Sequence, residues 1–256
     1  MDPLVKQSIK LFANGTQIAS HAADEVLRIA NQAASERGVF NIALSGGSTP
    51  KTLYTLLAEL PTLCDCLPWN KMQVFFGDER HVGPGHSDSN YQMAADAMFC
   101  KVPLQPEQIH RIKGEYLGTA QAAAEYEEVI RKQFRLQPGA FPRFDLVLLG
   151  MGNEGHTLSL FPGTKALHES KKIVTHNWVG KLYTERITLT AAAANAAANV
   201  IFMIAGSDKA CALKAVLEGP HEPEQLPAQM IQPADGALTW LIDEAAGEML
   251  SKEIFT

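Results

Sequence analysis

A histidine stands in a glycine-rich stretch, GMGNEGHTLSLFPG (150–163), which overlaps the end of the apolar run FDLVLLG. An imidazole titrates near neutral pH, so His156 has the chemistry of a general base that takes a proton from water. Gly152 permits close approach of the backbone to a ligand, because glycine has no Cβ. A histidine in a loop is more often an ordinary residue, so this stretch alone leaves three roles open: catalytic base, substrate contact or structural residue.

A second stretch, SGGSTP (45–50), has the residue types of an anion site. It precedes a predicted helix, and the unpaired N–H groups at a helix N-terminus favour negative charge. The spacing is neither that of a nucleotide P-loop nor that of a dinucleotide fingerprint, so a small phosphate ester fits better than ATP or NAD. A tight turn with a serine N-cap is the structural alternative. The candidate substrate contacts are Ser45, Gly46, Gly47, Ser48 and Thr49.

Charged side chains follow another apolar run, in GDERHVG (77–83). Asp78 can pair with Arg80 and fix its guanidinium, which then grips an anion or an oxyanion. A surface ion pair that caps the sheet is the alternative interpretation. Arg186, in TERITLT, and Lys209, in AGSDKA, are further candidates for a positive site, although each is also interpretable as a surface charge. The sequence does not settle whether these two side chains lie on the same side.

These candidates must be positioned by alternating strands and helices. Continuous apolar runs predict strands buried on both faces of a sheet, and amphipathic stretches between them predict helices. This alternation predicts an α/β fold with a doubly wound, mostly parallel sheet, in which ligands bind at the carboxyl ends of the strands. The predicted strands are 39–44, 72–76, 144–149, 186–190, 199–205 and 237–242, and the predicted helices are 17–37, 50–60, 119–134 and 207–219. Shorter helices are predicted over 157–161, over the alanine-rich segment 190–200, and from about Asn90 with Ser89 as the N-cap.

The composition narrows the class of protein. The chain has 256 residues and no linker or repeat, which predicts a single domain over 1–256. A net charge of −6 disfavours a nucleic-acid partner, because phosphate backbones need a basic surface. No signal peptide or membrane-spanning run is visible, so a cytoplasmic protein without a membrane partner is expected. Of the four cysteines only Cys64 and Cys66 are close together, which predicts reduced thiols and no metal site.

Three stretches in this order, SGGSTP, GDERHV…SDSNY and GMGNEGHTLSLFPG, resemble the 6-phosphogluconolactonase family. The later segments RITLT, AGSDKA, LPAQMIQP and TWLIDEAA agree, so the resemblance covers nearly the whole chain. It implies a modified Rossmann-like fold related to glucosamine-6-phosphate deaminase and ribose-5-phosphate isomerase. It also implies hydrolysis of 6-phospho-D-glucono-1,5-lactone to 6-phospho-D-gluconate, in the oxidative pentose phosphate pathway, without a cofactor or metal.

The resemblance also implies roles for individual residues. The segment 45–49 is similar to the family's phosphate loop, Arg80 to its substrate-gripping arginine, and His156 to its proposed catalytic histidine. Arg186 and Lys209 match positions near the substrate. The chain departs from the family at Glu154, where an aspartate is usual, and the role of this carboxylate stays open.

Two other functions are compatible with the same residues. One is a sugar-phosphate isomerase or deaminase on the same fold, although the deaminase pattern has an acid–tyrosine pair where this chain has Glu79 and Arg80. The other is a sensor that binds a phosphosugar without turning it over. The expected partner is a phosphosugar lactone, and the expected assembly is a monomer or a weak homo-oligomer.

Overall fold

The computed structural model describes residues 6–255, in which nine strands form two sheets. Six parallel strands make the central sheet, so the predicted mostly parallel α/β architecture is confirmed. The strands are β1 (Lys6–Phe12), β2 (Phe40–Leu44), β3 (Met72–Phe76), β4 (Asp78–Arg80), β5 (Leu146–Leu149), β6 (Val174–Val179), β7 (Thr184–Leu189), β8 (Asn199–Ile204) and β9 (Ala237–Asp243). The helices are α1 (Gly15–Arg37), α2 (Ser48–Glu59), α3 (Pro61–Cys64), α4 (Asn90–Ala97), α5 (Thr119–Phe134), α6 (Ala191–Asn195), α7 (Ala210–Glu218) and α8 (Glu244–Gly247).

The order of the central strands, β1-β9-β8-β5-β2-β3, reverses between β2 and β5. From β2 the chain moves outward to β3, and from β5 it moves outward in the other direction to β8 and β9. The loops after β2 and β5 therefore leave the sheet side by side, and ligands of open α/β sheets bind at such a point. One of these loops is SGGSTP and the other contains His156.

The second sheet is antiparallel, in the order β4-β7-β6. The predicted strand 186–190 exists as part of β7 but belongs to this smaller sheet, because an apolar run does not specify its pairing partner. Three strands, β1, β4 and β6, were not predicted. The short β4 consists of three charged residues and has no apolar run. In β6 the exposed His176 and Trp178 alternate with buried residues, and β1 mixes polar with apolar residues at the edge of the central sheet. Both lack the continuous hydrophobicity of a fully buried strand.

Gly77 joins the two sheets, since it separates β3 from β4. Its N–H donates to the carbonyl oxygen of Leu44 at 2.8 Å, and its own oxygen accepts from the N–H of Leu189 at 2.7 Å. A Cβ at this position would lie 2.7 Å from Leu158 Cδ2, so only glycine fits without a shift. The close junction places the charged residues of β4 directly beyond the carboxyl end of β3.

The long predicted helices are present, with caps that explain their ends. Helix α1 begins where the side chain of Asn14 accepts the N–H of Gln17, and it ends at Gly38, which has a φ of 74°. Helix α4 begins at Asn90, as predicted, and Ser89 Oγ accepts the N–H of Gln92. Among the helices of residues 6–255, none is both long and apolar enough to cross a membrane.

The shorter helical predictions were less accurate. Helix α6 covers only five residues of the alanine-rich segment, and the first residues of 207–219 form a 3₁₀ turn ahead of α7. The predicted helix over 157–161 is wrong. This segment is a turn closed by a bridge between Thr157 and Leu160, and Leu158 has a φ of 54°, which a right-handed helix does not accept.

Candidate active site

A cleft of about 360 Å³ opens at the point where the strand order reverses. Its walls are the loops after β2 and β5, the charged residues of β4 and β7, and the turn that follows β8. The cleft is therefore lined by residues from both sheets. The residues of the cleft include one imidazole, one carboxylate and three cationic side chains, at His156, Asp78, Arg80, Arg186 and Lys209.

The loop after β2 is fixed by a buried tyrosine. Tyr54 of α2 is fully buried, and its hydroxyl accepts the N–H of Ser45 at 3.0 Å and donates to the Ser45 carbonyl at 2.8 Å. Burial raises the pKa of Tyr54, so the phenol keeps the proton that it donates. Tyr126 of α5 binds both backbone groups of Phe76 in the same way, at the end of β3. Two helices thus fix the two strand ends that lead into the cleft.

Helix α2 has the properties of an anion site at its first turn. Its N-cap is Gly47, which has a φ of 116° and offers no side chain to accept the first N–H groups. Ser45 Oγ is buried at the cleft and has no hydrogen-bond partner among the described residues. Both features leave donors available to a negatively charged group. Gly46 is required here, since a Cβ would lie 2.0 Å from Oδ1 of Asn90.

The imidazole of His156 is held between a glycine, a carboxylate and an aromatic ring. A Cβ at Gly152 would lie 2.1 Å from His156 Nδ1, so the ring rests directly on this glycine. The ring of Phe161 stacks on the imidazole with centroids 4.0 Å apart. Glu154 Oε2 lies 3.1 Å from Nδ1, outside hydrogen-bond geometry. Since Nδ1 faces Glu154 and Gly152, Nε2 is the ring nitrogen left for water or substrate.

The surroundings favour a neutral imidazole. Burial lowers the pKa of His156, because the interior disfavours the charged ring. Glu154 and Asp78 act in the opposite direction, and Lys209 adds to the lowering. At neutral pH the ring is therefore in the form that accepts a proton. The Glu154 carboxylate beside Nδ1 favours the tautomer that has its proton on Nδ1, since a negative charge is better placed beside an N–H than beside a lone pair.

Two arginines lie side by side on neighbouring strands of the small sheet. Arg80 of β4 and Arg186 of β7 are directly paired in register, and both line the cleft. Like charges opposite each other destabilise a sheet, and burial together with Arg80 lowers the pKa of Arg186. Arg80 Nη1 donates to the carbonyl oxygen of Asp88 at 2.5 Å, and Arg186 Nη1 donates to Thr184 Oγ1 at 2.9 Å. Such a pair is suited to an anion bound between the two guanidiniums.

The predicted pairing of Asp78 with Arg80 is not formed in the described structure. The Asp78 carboxylate accepts instead from Ser159 Oγ at 2.6 Å and from the amide of Asn90 at 3.3 Å. It is nearly buried, and these two donors compensate for its lost hydration. Asp78 therefore connects the loop of His156 with the start of α4, while Arg80 is fixed by the backbone of Asp88.

Lys209 reaches the cleft from the turn after β8. That turn begins at Gly206, which has a φ of 101°, and the carboxylate of Asp243 accepts the Gly206 N–H at 3.0 and 3.2 Å. The same carboxylate accepts the N–H of Ala246 and so caps α8. Lys209 Nζ lies 2.9 Å from Asp208 Oδ2. The end of β9 thus sets the position of the cationic turn.

Most of the residues singled out in the sequence meet in this cleft. Those that line it are Ser45, Gly46, Gly47, Asp78, Arg80, Gly152, His156, Arg186 and Lys209. Ser48 and Thr49 do not line it; Ser48 is exposed, and Thr49 Oγ1 faces Gly15.

Sequence reasoning gave no role to several residues that shape the cleft, among them Tyr54, Asn90, Leu158, Ser159 and Phe161. For Asn90 the SDSNY match was a signal, whereas nothing local distinguishes Tyr54 from any other apolar-face residue.

Comparison with known proteins identifies the family of this chain. Residues 13–240 match the family described as glucosamine-6-phosphate isomerases/6-phosphogluconolactonase. The 6-phosphogluconolactonase of a Nostoc species is 42% identical over 96% of this chain and 100% of its own length. That of a Synechocystis species is 43% identical over 86% of this chain and 88% of its own length. The structure of 6-phosphogluconolactonase from Trypanosoma cruzi superposes with a TM-score of 0.84 at 28% identity, covering 96% of this chain and 98% of that one. The chain therefore belongs to the glucosamine-6-phosphate isomerase/6-phosphogluconolactonase family.

Proposed function

We propose that this protein hydrolyses 6-phospho-D-glucono-1,5-lactone to 6-phospho-D-gluconate. The observation that carries the proposal is the cleft itself, which is lined by a neutral imidazole and three cationic side chains. A phosphorylated lactone needs both a base for water and positive groups for the phosphate and the developing oxyanion. Relatives at 42% and 43% identity bear this enzyme's name, which supports the same assignment.

Binding of the phosphate is assigned to the first turn of α2 and its neighbours. The unpartnered Ser45 Oγ and the backbone of Gly46 and Gly47, which line the cleft directly ahead of this turn, offer donors to phosphate oxygens. The global charge of −6 does not attract an anion, so the local cations Arg80, Arg186 and Lys209 supply that attraction. A phosphate held at one end of the cleft presents the lactone carbonyl to His156.

In the proposed reaction, Nε2 of His156 takes a proton from water as the water oxygen attacks the lactone carbonyl. The carbonyl oxygen becomes an oxyanion, which Arg80 and N–H groups of the glycine loops stabilise. When the tetrahedral intermediate collapses, the bond from the carbonyl carbon to the ring oxygen breaks, and His156 returns the proton to that oxygen. The acid that forms then ionises to 6-phospho-D-gluconate.

A coupled assay tests the reaction. The lactone is generated with glucose-6-phosphate dehydrogenase, and 6-phospho-D-gluconate is followed through its own dehydrogenase. We expect formation of the product well above the rate of spontaneous hydrolysis. His156→Ala is expected to lower kcat by about 10²–10⁴-fold, the usual contribution of a general acid–base group. Full turnover by a folded His156→Ala protein would remove His156 from the mechanism.

Two further measurements distinguish lactone hydrolysis from the deaminase and sensor functions. A deaminase would release ammonia from glucosamine 6-phosphate, and the family to which the chain belongs includes glucosamine-6-phosphate isomerases. A sensor would be stabilised against thermal unfolding by 6-phospho-D-gluconate without any turnover of the lactone. Acceleration of lactone hydrolysis with no ammonia release would exclude both.

A further inference from the structure

A lysine from the turn between β6 and β7 contacts the carboxylate that faces the base. This turn, Gly180–Leu182, brings Lys181 Nζ to 3.3 Å from Glu154 Oε1. The other oxygen of the same carboxylate, Oε2, lies 3.1 Å from His156 Nδ1. One carboxylate is thus shared between a cation and the imidazole, one oxygen to each.

Glu154 also has contacts within its own loop. Its Oε2 lies against Gly152, where an added Cβ would approach it to 2.7 Å. A hydrogen bond from its own backbone N–H also lowers the pKa of Glu154, in opposition to burial. The carboxylate is therefore held by its own loop as well as by Lys181.

We propose that Lys181 competes with His156 for the charge of Glu154 and so extends the neutral, proton-accepting form of the imidazole to lower pH. This inference rests on the proposed role of His156 as the base. The other charged groups that face His156 are Asp78, which favours the imidazolium, and Lys209, which opposes it. Lys209 thus counteracts the effect of Asp78 on the His156 ring. Lys181 is placed to counteract the effect of Glu154, the carboxylate nearest to the ring, in the same way.

The direction of the effect follows from the charges. Glu154 is the largest influence that raises the pKa of His156 against burial. Without Lys181 its negative charge acts on the ring uncompensated, so the ring takes up a proton at a higher pH. The side chain of Lys181 is 67% exposed, so solvent and salt screen the effect, and a shift of a few tenths of a pH unit is expected.

The test is the pH dependence of kcat/KM in Lys181→Met. We expect the acid limb to move to higher pH by about 0.2–0.5 units at low salt, and the difference from wild type to shrink at high salt. Lys101→Met is the matched control, because Lys101 is also an exposed lysine paired with a glutamate, Glu59, at 2.7 Å. Its acid limb should coincide with that of wild type. In a Glu154→Gln background, Lys181→Met should no longer move the limb.

NMR titration of the His156 ring gives a second readout that does not require turnover. An upward shift of its midpoint in Lys181→Met, absent in the Glu154→Gln background, supports the proposal. An unchanged midpoint overturns it, and a downward shift also overturns it, since Lys181 would then be orienting the carboxylate rather than competing for it. If His156→Ala retains full activity while the ring titration shifts as expected, the proposed base fails and the coupling of Lys181 to the ring stands.

Discussion

Replacing Gly152 by alanine should displace His156, the proposed base, without unfolding the protein. The added Cβ would lie 2.1 Å from His156 Nδ1, 2.2 Å from Cε1 and 2.7 Å from Glu154 Oε2. Ordinary contact begins at 3.4 Å, so the imidazole must retreat by about 1.3 Å. Phe161 stacks on the ring at 4.0 Å and confines that movement. The backbone itself accepts alanine, because the φ of Gly152 lies outside the left-handed region.

The size of the loss follows from the required geometry. A misplacement of about 1 Å in a catalytic group costs on the order of 10²-fold in rate, so kcat of Gly152→Ala should fall by about that factor. The coupled assay, corrected for spontaneous hydrolysis, measures it, and thermal unfolding checks the fold. Gly118→Ala is the control, since nothing lies within 4 Å of a Cβ there and the position is outside the cleft. A folded Gly152→Ala protein with wild-type kcat and an unshifted pH profile would refute the placement of the base.

Three further predictions concern pH and stability. Because burial lowers the pKa of His156 below its usual 6.5, the wild-type kcat/KM should persist as the pH falls through 6.5 and should decline only at lower pH; a decline centred above 6.5 would contradict this. Arg186→Gln relieves the like-charge pair with Arg80, so the unliganded protein should melt about 1–3 °C higher while binding of 6-phospho-D-gluconate weakens; a lower Tm would count against the strain. Asp243→Ala removes the acceptor of the Gly206 and Ala246 N–H groups. The turn that bears Lys209 should then loosen, so Tm should fall and KM should rise. Unchanged values of both Tm and KM would show that Asp243 does not hold this turn.

Much of the fold was predictable because the central strands are buried on both faces. The runs that became β2, β3 and β8 are continuously apolar, and their boundaries differ from the prediction by at most one residue. The pattern failed where a strand has one exposed face. In β6 the exposed His176 and Trp178 alternate with buried neighbours, which is the pattern of a half-buried strand. This alternation covers too few residues to be distinguished from a helical pattern by its period.

The site was predictable as a set of strand ends but not as a network. Glycines and charges directly after apolar runs indicated the loops of His156 and Arg80, and the sheet brings those loops together. The partners of Asp78 were not visible, because Ser159 lies 81 positions away in the chain and only folding makes them neighbours. Likewise, nothing in TERITLT shows that Arg186 faces Arg80, since strand register is set by tertiary contacts.

The junction at Gly77 has a consequence for how the site is held together. The base lies on a loop of the central sheet, whereas Arg80 and Arg186 belong to the small sheet. The backbone of one residue, Gly77, is hydrogen-bonded to Leu44 of the central sheet through its N–H and to Leu189 of the small sheet through its carbonyl. We propose that the two sheets, joined at this residue, form a single domain. An insertion at this junction would break these hydrogen bonds and move Arg80 and Arg186 away from His156.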